Sequence, residues 1–345
     1  MRITVLLGGT SAERDVSLAS GLRIAEALRS RGHEVTALDP ARGMLGRDEE
    51  AVLRAAGVMK TAPPSLESLR KMARSSPFAS LDLLPRLKEA DVVFIALHGG
   101  QGEDGTIQAL LDMMGVVYTG SGHLASALAM DKDLSKQLFR CAGVLTADWL
   151  MAGARCDERV GLMEVERGVG LPAVVKPSKQ GSTVGLTLVR EGRELEAAIA
   201  EAARYDDEVM IEQFIPGREL TVSVLGDRAL PVGEIIPKHE LYDYECKYTT
   251  GMAVEEFPAR LSPDVSAEAQ RQALAAFRAL KLDGYARIDF RMTEQNELYC
   301  LEANTLPGMT ALSLLPQAAA AAGIDFATLC ERIVELARSK PRGSG

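Results

Sequence analysis

The chain has 345 residues, 47% of them hydrophobic and 25% charged, with a net charge of −9. That length accommodates two or three packed units rather than one. The acidic balance, with no long Lys/Arg block, argues against a nucleic-acid binder, and no run of about 18 apolar residues is present to span a membrane.

The N-terminus runs only six residues past Arg2 before turning glycine-rich and polar, too short for a signal segment. It reads as a first strand over 2–8, followed by a helix over 15–30 and a strand in "HEVTALD". Residues 40–80 are poorly patterned. "ADVVFIAL" is a near-continuous apolar run, as for a strand buried on both faces of a parallel sheet. A helix over 104–114 and "GVVYTG" complete a doubly wound α/β unit over residues 1–120.

A second unit, 121–215, is expected to hold a helix over 124–141, strands over 172–176 and 184–190, a helix over 192–204 and the strand "EVMIEQF". A third, 216–340, opens with the antiparallel meander "LTVSVLGDRALPVGEII". An amphipathic helix over 266–280, a hairpin in "GYARIDFRMTEQNELYCLEAN" and a helical end follow. The five cysteines are scattered and never spaced as CxxC, which suggests reduced thiols in a cytoplasmic protein.

The hairpin carries the strongest chemistry. Period two puts Arg287 and Asp289 on one face, and Glu302 and Asn304 on one face of the next strand. If Gln295 and Asn296 form a two-residue turn, Asp289 falls opposite Glu302; a longer turn shifts that register. Opposed carboxylates repel, and a hard divalent cation such as Mg²⁺, with oxygen ligands from Asp, Glu and Asn, removes the repulsion. "TLPGMT" follows, with spare backbone N–H groups that can serve an oxyanion.

Three glycine-rich loops compete as phosphate sites. "LLGGTSAERDVS" leads from a strand into a helix, whose N-terminus favours an anion. "TGSGHLASA" is a weak dinucleotide fingerprint, read more simply as a strand-to-helix turn. In "VVKPSKQGSTVGL", Lys176 ends a strand, and Gly181, Ser182 and Thr183 can present N–H groups and hydroxyls to phosphate oxygens, although a plain hairpin turn would look the same. The lysine precedes the glycines, which excludes a Walker A loop. His98 follows a buried strand at the edge where α/β sheets place ligands. "YDYECKY" suits a loop folded over a site.

Together "GGTSAERDVSLASG", "LHGGQGEDG", "YTGSG…MDK", "LPAVVKPSKQGSTVGL", "YDYECKY", "ARIDF" and "LEANTLPGMT" cover nearly the whole chain in order. The chain so resembles the D-alanine–D-alanine ligases of the ATP-grasp superfamily. The resemblance implies an ATP-grasp fold of three α/β domains with an N-terminal doubly wound (preATP-grasp) domain. It implies ligation of two D-alanines to D-alanyl-D-alanine with ATP, through an acyl phosphate, for peptidoglycan precursors in the cytoplasm, by a homodimer. Lys132, Lys176 and Lys247 are implied at the ATP phosphates, with Gly181 and Ser182 in the covering loop. Glu212, Phe214 and Glu219 are implied around adenine and ribose. Asp289, Glu302 and Asn304 are implied to bind two Mg²⁺, with Mn²⁺ as a substitute. Glu13, linked to Ser182 and Tyr248, is implied to orient the first D-alanine, with His98 nearby. Arg287 and Gly308 are implied at the oxyanion, and Ser313 and Leu314 at the second D-alanine's carboxylate. Residues 40–85, Gln180, Leu306 and Leu312 depart from the family pattern. Tyr248 favours D-alanine over D-lactate as second substrate. A D-serine- or D-lactate-joining ligase, or a nucleotide-binding regulator without turnover, are the competing readings.

Overall fold

The computed structural model describes residues 1–55, 84–153, 160–181, 183–238 and 251–339. The first of its three sheets contains β1 (Arg2–Leu6), β2 (Glu34–Asp39), the short β3 (Gly43–Met44) and β4 (Val92–Ile95), in the order β3-β2-β1-β4. β1 runs parallel to both β2 and β4. Every residue of β4 is buried, as its unbroken apolar run requires. Helix α1 (Arg14–Ser30) connects β1 to β2 on one side, while β4 flanks β1 on the other. The loops after β1 and β4 therefore meet where the winding reverses, the position at which such sheets hold ligands.

The unpatterned stretch after residue 40 contains β3 and α2 (Arg47–Ala55). A buried carboxylate anchors α2: Glu50 accepts two bonds from Arg29, at 2.6 and 2.8 Å. Short α3 (Leu84–Glu89) precedes β4, and α4 (Thr106–Met113) follows it.

The second sheet is antiparallel throughout: β5 (Trp149–Gly153), β6 (Ala173–Pro177), β7 (Thr187–Val189) and β8 (Glu208–Gln213), in the order β5-β8-β6-β7. β5 and α7 (Leu162–Gly168) were not expected; α8 (Leu195–Ala202) was. The third sheet holds β9 (Arg218–Leu225), β10 (Arg228–Ala229), β11 (Gly233–Pro237), β12 (Ala253–Glu256), β13 (Tyr285–Met292) and β14 (Leu298–Asn304). Along β9 and β13 the alternate residues Leu220, Val222, Val224, Ala286, Ile288 and Phe290 are buried in one core with α9 (Pro263–Ala279). Period two turns their neighbours to the opposite, polar face.

Two segments pack away from the unit in which the sequence places them. The helix expected over 124–141 is two helices, α5 (His123–Met130) and α6 (Lys132–Cys141). The break is Asp131, extended at ψ 101°, whose side chain caps α6 by accepting from the Leu134 N–H at 3.1 Å. Ala125, Ala129 and Phe139 of this pair join the core of the third sheet. The second core is filled by its own Val165, Leu195, Ala198 and Ala202. At the far end, α10 (Leu314–Ala321) and α11 (Phe326–Ser339) return to the first sheet. Their Leu315, Leu329, Ile333 and Val334 share a core with Ile3, Leu28 and Val93. The boundary at 216–340 thus encloses helices that complete the first unit.

Candidate active site

The polar face of the third sheet is a ladder of charged and polar side chains. Register places Glu219 opposite Arg291, Thr221 opposite Asp289, and Ser223 opposite Arg287 between β9 and β13. Between β13 and β14 it places Asp289 opposite Glu302 and Arg287 opposite Asn304. The opposition of Asp289 and Glu302 matches the sequence reading, but its cause differs. The Thr293 N–H bonds the Glu297 carbonyl at 3.0 Å, enclosing a three-residue turn with Asn296 at φ 64°. That turn alone would misalign the carboxylates by one residue. A β-bulge between Cys300 and Glu302 restores the register. The burial of β14 shows the slip directly: Cys300 and Ala303 are buried, while Leu301 and Glu302 between them are both partly exposed.

Asp289 accepts from Thr221 Oγ1 at 2.7 Å and from Arg287 Nε and Nη2 at 2.9 and 2.8 Å. Lys132 Nζ stands 3.3 Å from Glu302. Arg291 pairs with Glu219 at 3.5 Å and lies 5.6 Å from the Phe214 ring. The two carboxylates thus sit between Arg287 and Lys132, with the Asn304 amide two residues beyond Glu302. Hard oxygen donors on one face suit Mg²⁺. Among the described residues no group of three or more His, Cys, Asp or Glu gathers, so a cation here would rest on two carboxylates and an amide.

Facing this sheet, the loop after β6 is anchored at its base. Lys132 Nζ donates to the Gln180 carbonyl at 2.8 Å, and the Lys179 N–H to Asp206 at 2.6 Å. Lys176 Nζ donates to Glu212 Oε2 at 2.6 Å, and Lys136 Nζ to Glu212 Oε1 and to Thr146 Oγ1. Burial by itself would raise the Glu212 carboxyl, but the two lysine charges overcome it and hold the group down to about 2. Burial lowers Lys136 in turn. Glu212, expected at the adenine, thus has both oxygens engaged by lysines.

At the reversal point of the first sheet, the glycine loop after β1 uses its own N–H groups. Gly8 donates to Ser17 Oγ at 2.8 Å and Gly9 to Asp39 Oδ1 at 3.0 Å. Asp39 is fully buried and paired with Arg14. An internal carboxylate already occupies the place an anion would take, so this loop is not a phosphate site. "TGSGHLASA" is a turn into a helix as expected, with Gly122 capping α5, but the segment before it is only an isolated bridge between Tyr118 and Val93 rather than a strand. His98 is buried, with Nε2 3.0 Å from Ser20 Oγ and Nδ1 3.0 Å from the Leu306 carbonyl. Glu103, 3.6 Å from His98, has its carboxyl raised by burial and by the charge of Glu13, against the opposing pull of His98. The link after β14 completes the site. A Cβ on Gly308 would lie 2.6 Å from Ser313 Oγ, so the two are in close contact. Ser313 begins α10 and its Oγ accepts from the Thr310 N–H at 3.0 Å.

One cleft is lined by residues from all three sheets' surroundings: Glu13 and His98, Lys132 and Gly181, Arg287, Glu302 and Asn304, and Gly308, Ser313 and Leu314. Family models for the N-terminus and C-terminus of D-ala D-ala ligase match residues 2–121 and 138–335. The chain belongs to the D-alanine–D-alanine ligase family. It is 44% identical over 345 residues to the D-alanine–D-alanine ligase of Geobacter sulfurreducens, covering 100% of this chain and 96% of that one. The D-alanine–D-alanine ligase of Bacillus anthracis is similar in structure, with TM-score 0.78 and 33% identity over 98% of this chain and 97% of that one. A B. anthracis ligase complexed with ATP matches at TM-score 0.75 and 30% identity, with the same coverages. The ATP-grasp architecture with an N-terminal α/β domain, read from the motifs, is therefore the fold of this ligase-family chain.

Lys176, Glu212, Phe214, Glu219 and Asp289 do not line that cleft. Ser182, Lys247 and Tyr248 lie outside the described residues. The sequence reading missed Lys136, Glu103 and Thr221. Lys136 follows Lys132 by one helical turn, Glu103 closes the "HGGQGE" segment, and Thr221 follows Glu219 by two along a strand. For Lys136 and Thr221 the spacing was present, but the partners that give it meaning, Glu212 and Asp289, lie far away in sequence.

Proposed function

We propose that this chain joins two D-alanines into D-alanyl-D-alanine, converting ATP to ADP and phosphate, for peptidoglycan precursors in the cytoplasm. The observation that carries the reading is the charged face where Asp289 opposes Glu302 between Arg287 and Lys132, with Glu302, Arg287 and Lys132 lining one cleft together with Glu13, His98 and Gly308. Asp289, Glu302 and Asn304 would hold two Mg²⁺, or Mn²⁺ in their place, which supply charge neutralisation to the nucleotide phosphates. Lys132 and Lys176, with Gly181 and Ser182 of the loop above them and Lys247, hold the phosphates. Glu212 acts there by fixing Lys176. Phe214 and Glu219 flank the base and ribose.

Phosphoryl transfer needs positioning and charge stabilisation more than covalent chemistry from the protein. Glu13, with His98 lining the same cleft, orients the first D-alanine, and the family resemblance assigns Ser182 and Tyr248 to act with it. Its carboxylate oxygen takes the γ-phosphoryl group and ADP leaves. The second D-alanine's carboxylate is received at Ser313 and Leu314. Its amine attacks the acyl carbon, and Arg287 and the Gly308 N–H stabilise the resulting oxyanion. The C–O bond to phosphate then breaks and the amine proton passes to solvent. An acyl phosphate hydrolyses in water, so loop cover over the site is required.

We assign the first substrate to the unit over 1–120, the phosphate loop to 121–215 and the metal face to 216–340, with α10 and α11 buttressing the first. A homodimer accords with the family. Phosphate release with ATP, Mg²⁺ and D-alanine tests the reading, run beside D-serine and D-lactate as second substrates. D-alanine-dependent release with dipeptide formed is expected. Release only when D-lactate is supplied, or tight ATP binding without release under any substrate, would overturn it.

A further inference from the structure

Helix α1 contacts the link after β14 directly. Ser20 and Arg23 are one helical turn apart and share a face. Ser20 Oγ accepts from the Met309 N–H at 3.1 Å, and Arg23 Nη1 donates to the Met309 and Thr310 carbonyls at 3.0 and 2.7 Å. The guanidinium also stacks 3.6 Å over the Phe326 ring, which begins α11. A Cβ on Gly21, between the two, would lie 2.4 Å from Leu7 Cβ, so α1 packs closely against the end of β1 at this point.

These bonds grip the residues next to the chemistry. Met309 follows Gly308. Thr310 donates its N–H to Ser313 Oγ at 3.0 Å, and Ser313 Oγ lies against the Gly308 backbone. His98 bonds both Ser20 Oγ and the Leu306 carbonyl, closing the other end of the link. Three backbone polar groups of the link, the Met309 N–H and carbonyl and the Thr310 carbonyl, are thus bound by two side chains from a helix nearly 290 residues earlier.

We propose that Ser20 and Arg23 are positioning residues for the acceptor amino acid: they set the 306–313 link so that the Gly308 N–H and Ser313 face the second D-alanine. This rests on the ligase reading above. Neither side chain touches substrate; each acts through the link. When the acceptor is poorly held, water attacks the acyl carbon in its place. A C–O bond to water forms, phosphate leaves, a proton goes to solvent, and D-alanine is regenerated, so ATP is consumed without dipeptide.

The test is steady-state kinetics on the full chain for Arg23→Lys, which keeps the charge but loses the planar fork, and for Ser20→Ala, which removes one oxygen and introduces no clash. Phosphate and dipeptide are measured separately, with thermal midpoints alongside. The wild type is expected to give one dipeptide per phosphate, and its failure to release phosphate with D-alanine would count against the ligase reading itself. In each variant the KM for the acceptor D-alanine is expected to rise about tenfold, the loss expected for a hydrogen bond worth somewhat over 1 kcal/mol. Phosphate should exceed dipeptide, while the KM for ATP stays unchanged. An unchanged acceptor KM with one dipeptide per phosphate in an active variant would overturn the proposal, even if the thermal midpoint falls, because the contacts would then be only structural. Parallel rises in the KM for ATP and for both D-alanines would overturn it equally.

Discussion

Glu302 is held between charges of opposite sign: Asp289 faces it across the strands and Lys132 stands 3.3 Å away. Removing its charge without changing its shape should leave the fold intact and remove the reason for a cation to sit there. Glu302→Gln is expected to lower kcat about 100-fold, the scale of losing one preorganised electrostatic group, and to raise the Mg²⁺ needed for half-maximal rate. A Mg²⁺ titration of initial rates checks both; wild-type activity at ordinary Mg²⁺ would refute the assignment. Glu212 raises a different question, because its two lysine partners are buried with it. Its carboxyl is held from 4.5 down to about 2. A depressed acid contributes stability that is complete above its unfolded value and is lost as pH falls through the folded one. The contribution is therefore present at neutral pH and fades from about 4.5 toward about 2. Glu212→Gln leaves Lys136 and Lys176 facing a neutral amide and should cost about 3–5 kcal/mol at pH 7. Urea melts of both proteins between pH 7 and 3 should converge as the wild type loses its advantage. A gap that is small at pH 7, or that widens in acid, would contradict the pairing.

At the scale of elements, a single cap and a single bulge decide where site residues stand. Asp131 ends α5 and starts α6, which puts Lys132 in the first turn of α6, between the phosphate loop and Glu302. Asp131→Ala should cost about 1 kcal/mol, as lost N-caps do, and should raise the KM for ATP, since Lys132 would no longer be aimed. Thermal melts together with ATP kinetics check the pair of effects. The apolar pattern of 124–141 is continuous enough to read as one helix; the cap was visible in "MDK", yet its consequence depended on which core each half joins. The hairpin teaches the converse. Alternation in "RIDF" and "LEAN" was legible, as was the opposition of Asp289 and Glu302. The three-residue turn and the bulge that compensates it were not, because each shifts the register by one and the two cancel.

Across the whole molecule, the ends of the chain close one core. Ile333, fully buried in α11, packs in the cluster that contains Ile3, Val5 and Phe94 of the first sheet. His33 Nε2 meets Glu331 at 2.7 Å across the same contact. Ile333→Ala should therefore cost about 2–5 kcal/mol, the range for truncating a buried aliphatic side chain. The loss should loosen β1 and β4, more than 200 residues away, rather than the nearby third sheet. Amide exchange resolved by segment checks this; protection lost only around β9 and β13 would show that α11 belongs to the third unit after all.

The sequence by itself determined which residue types were available and on which face of each strand they would stand. Period-two alternation placed Arg287, Asp289, Glu302 and Asn304 on their strand faces, while the ligase-family resemblance carried by the ordered motifs implied the fold and the other cleft residues from Glu13 to Ser313. Tertiary structure alone decided the partners. Lys136 acquires its role from Glu212, Asp39 takes the anion position in the first glycine loop, and α1 holds the link after β14. A local pattern records burial and direction, whereas an ion pair or a shared core depends on two distant segments arriving together, which no periodicity within either segment contains.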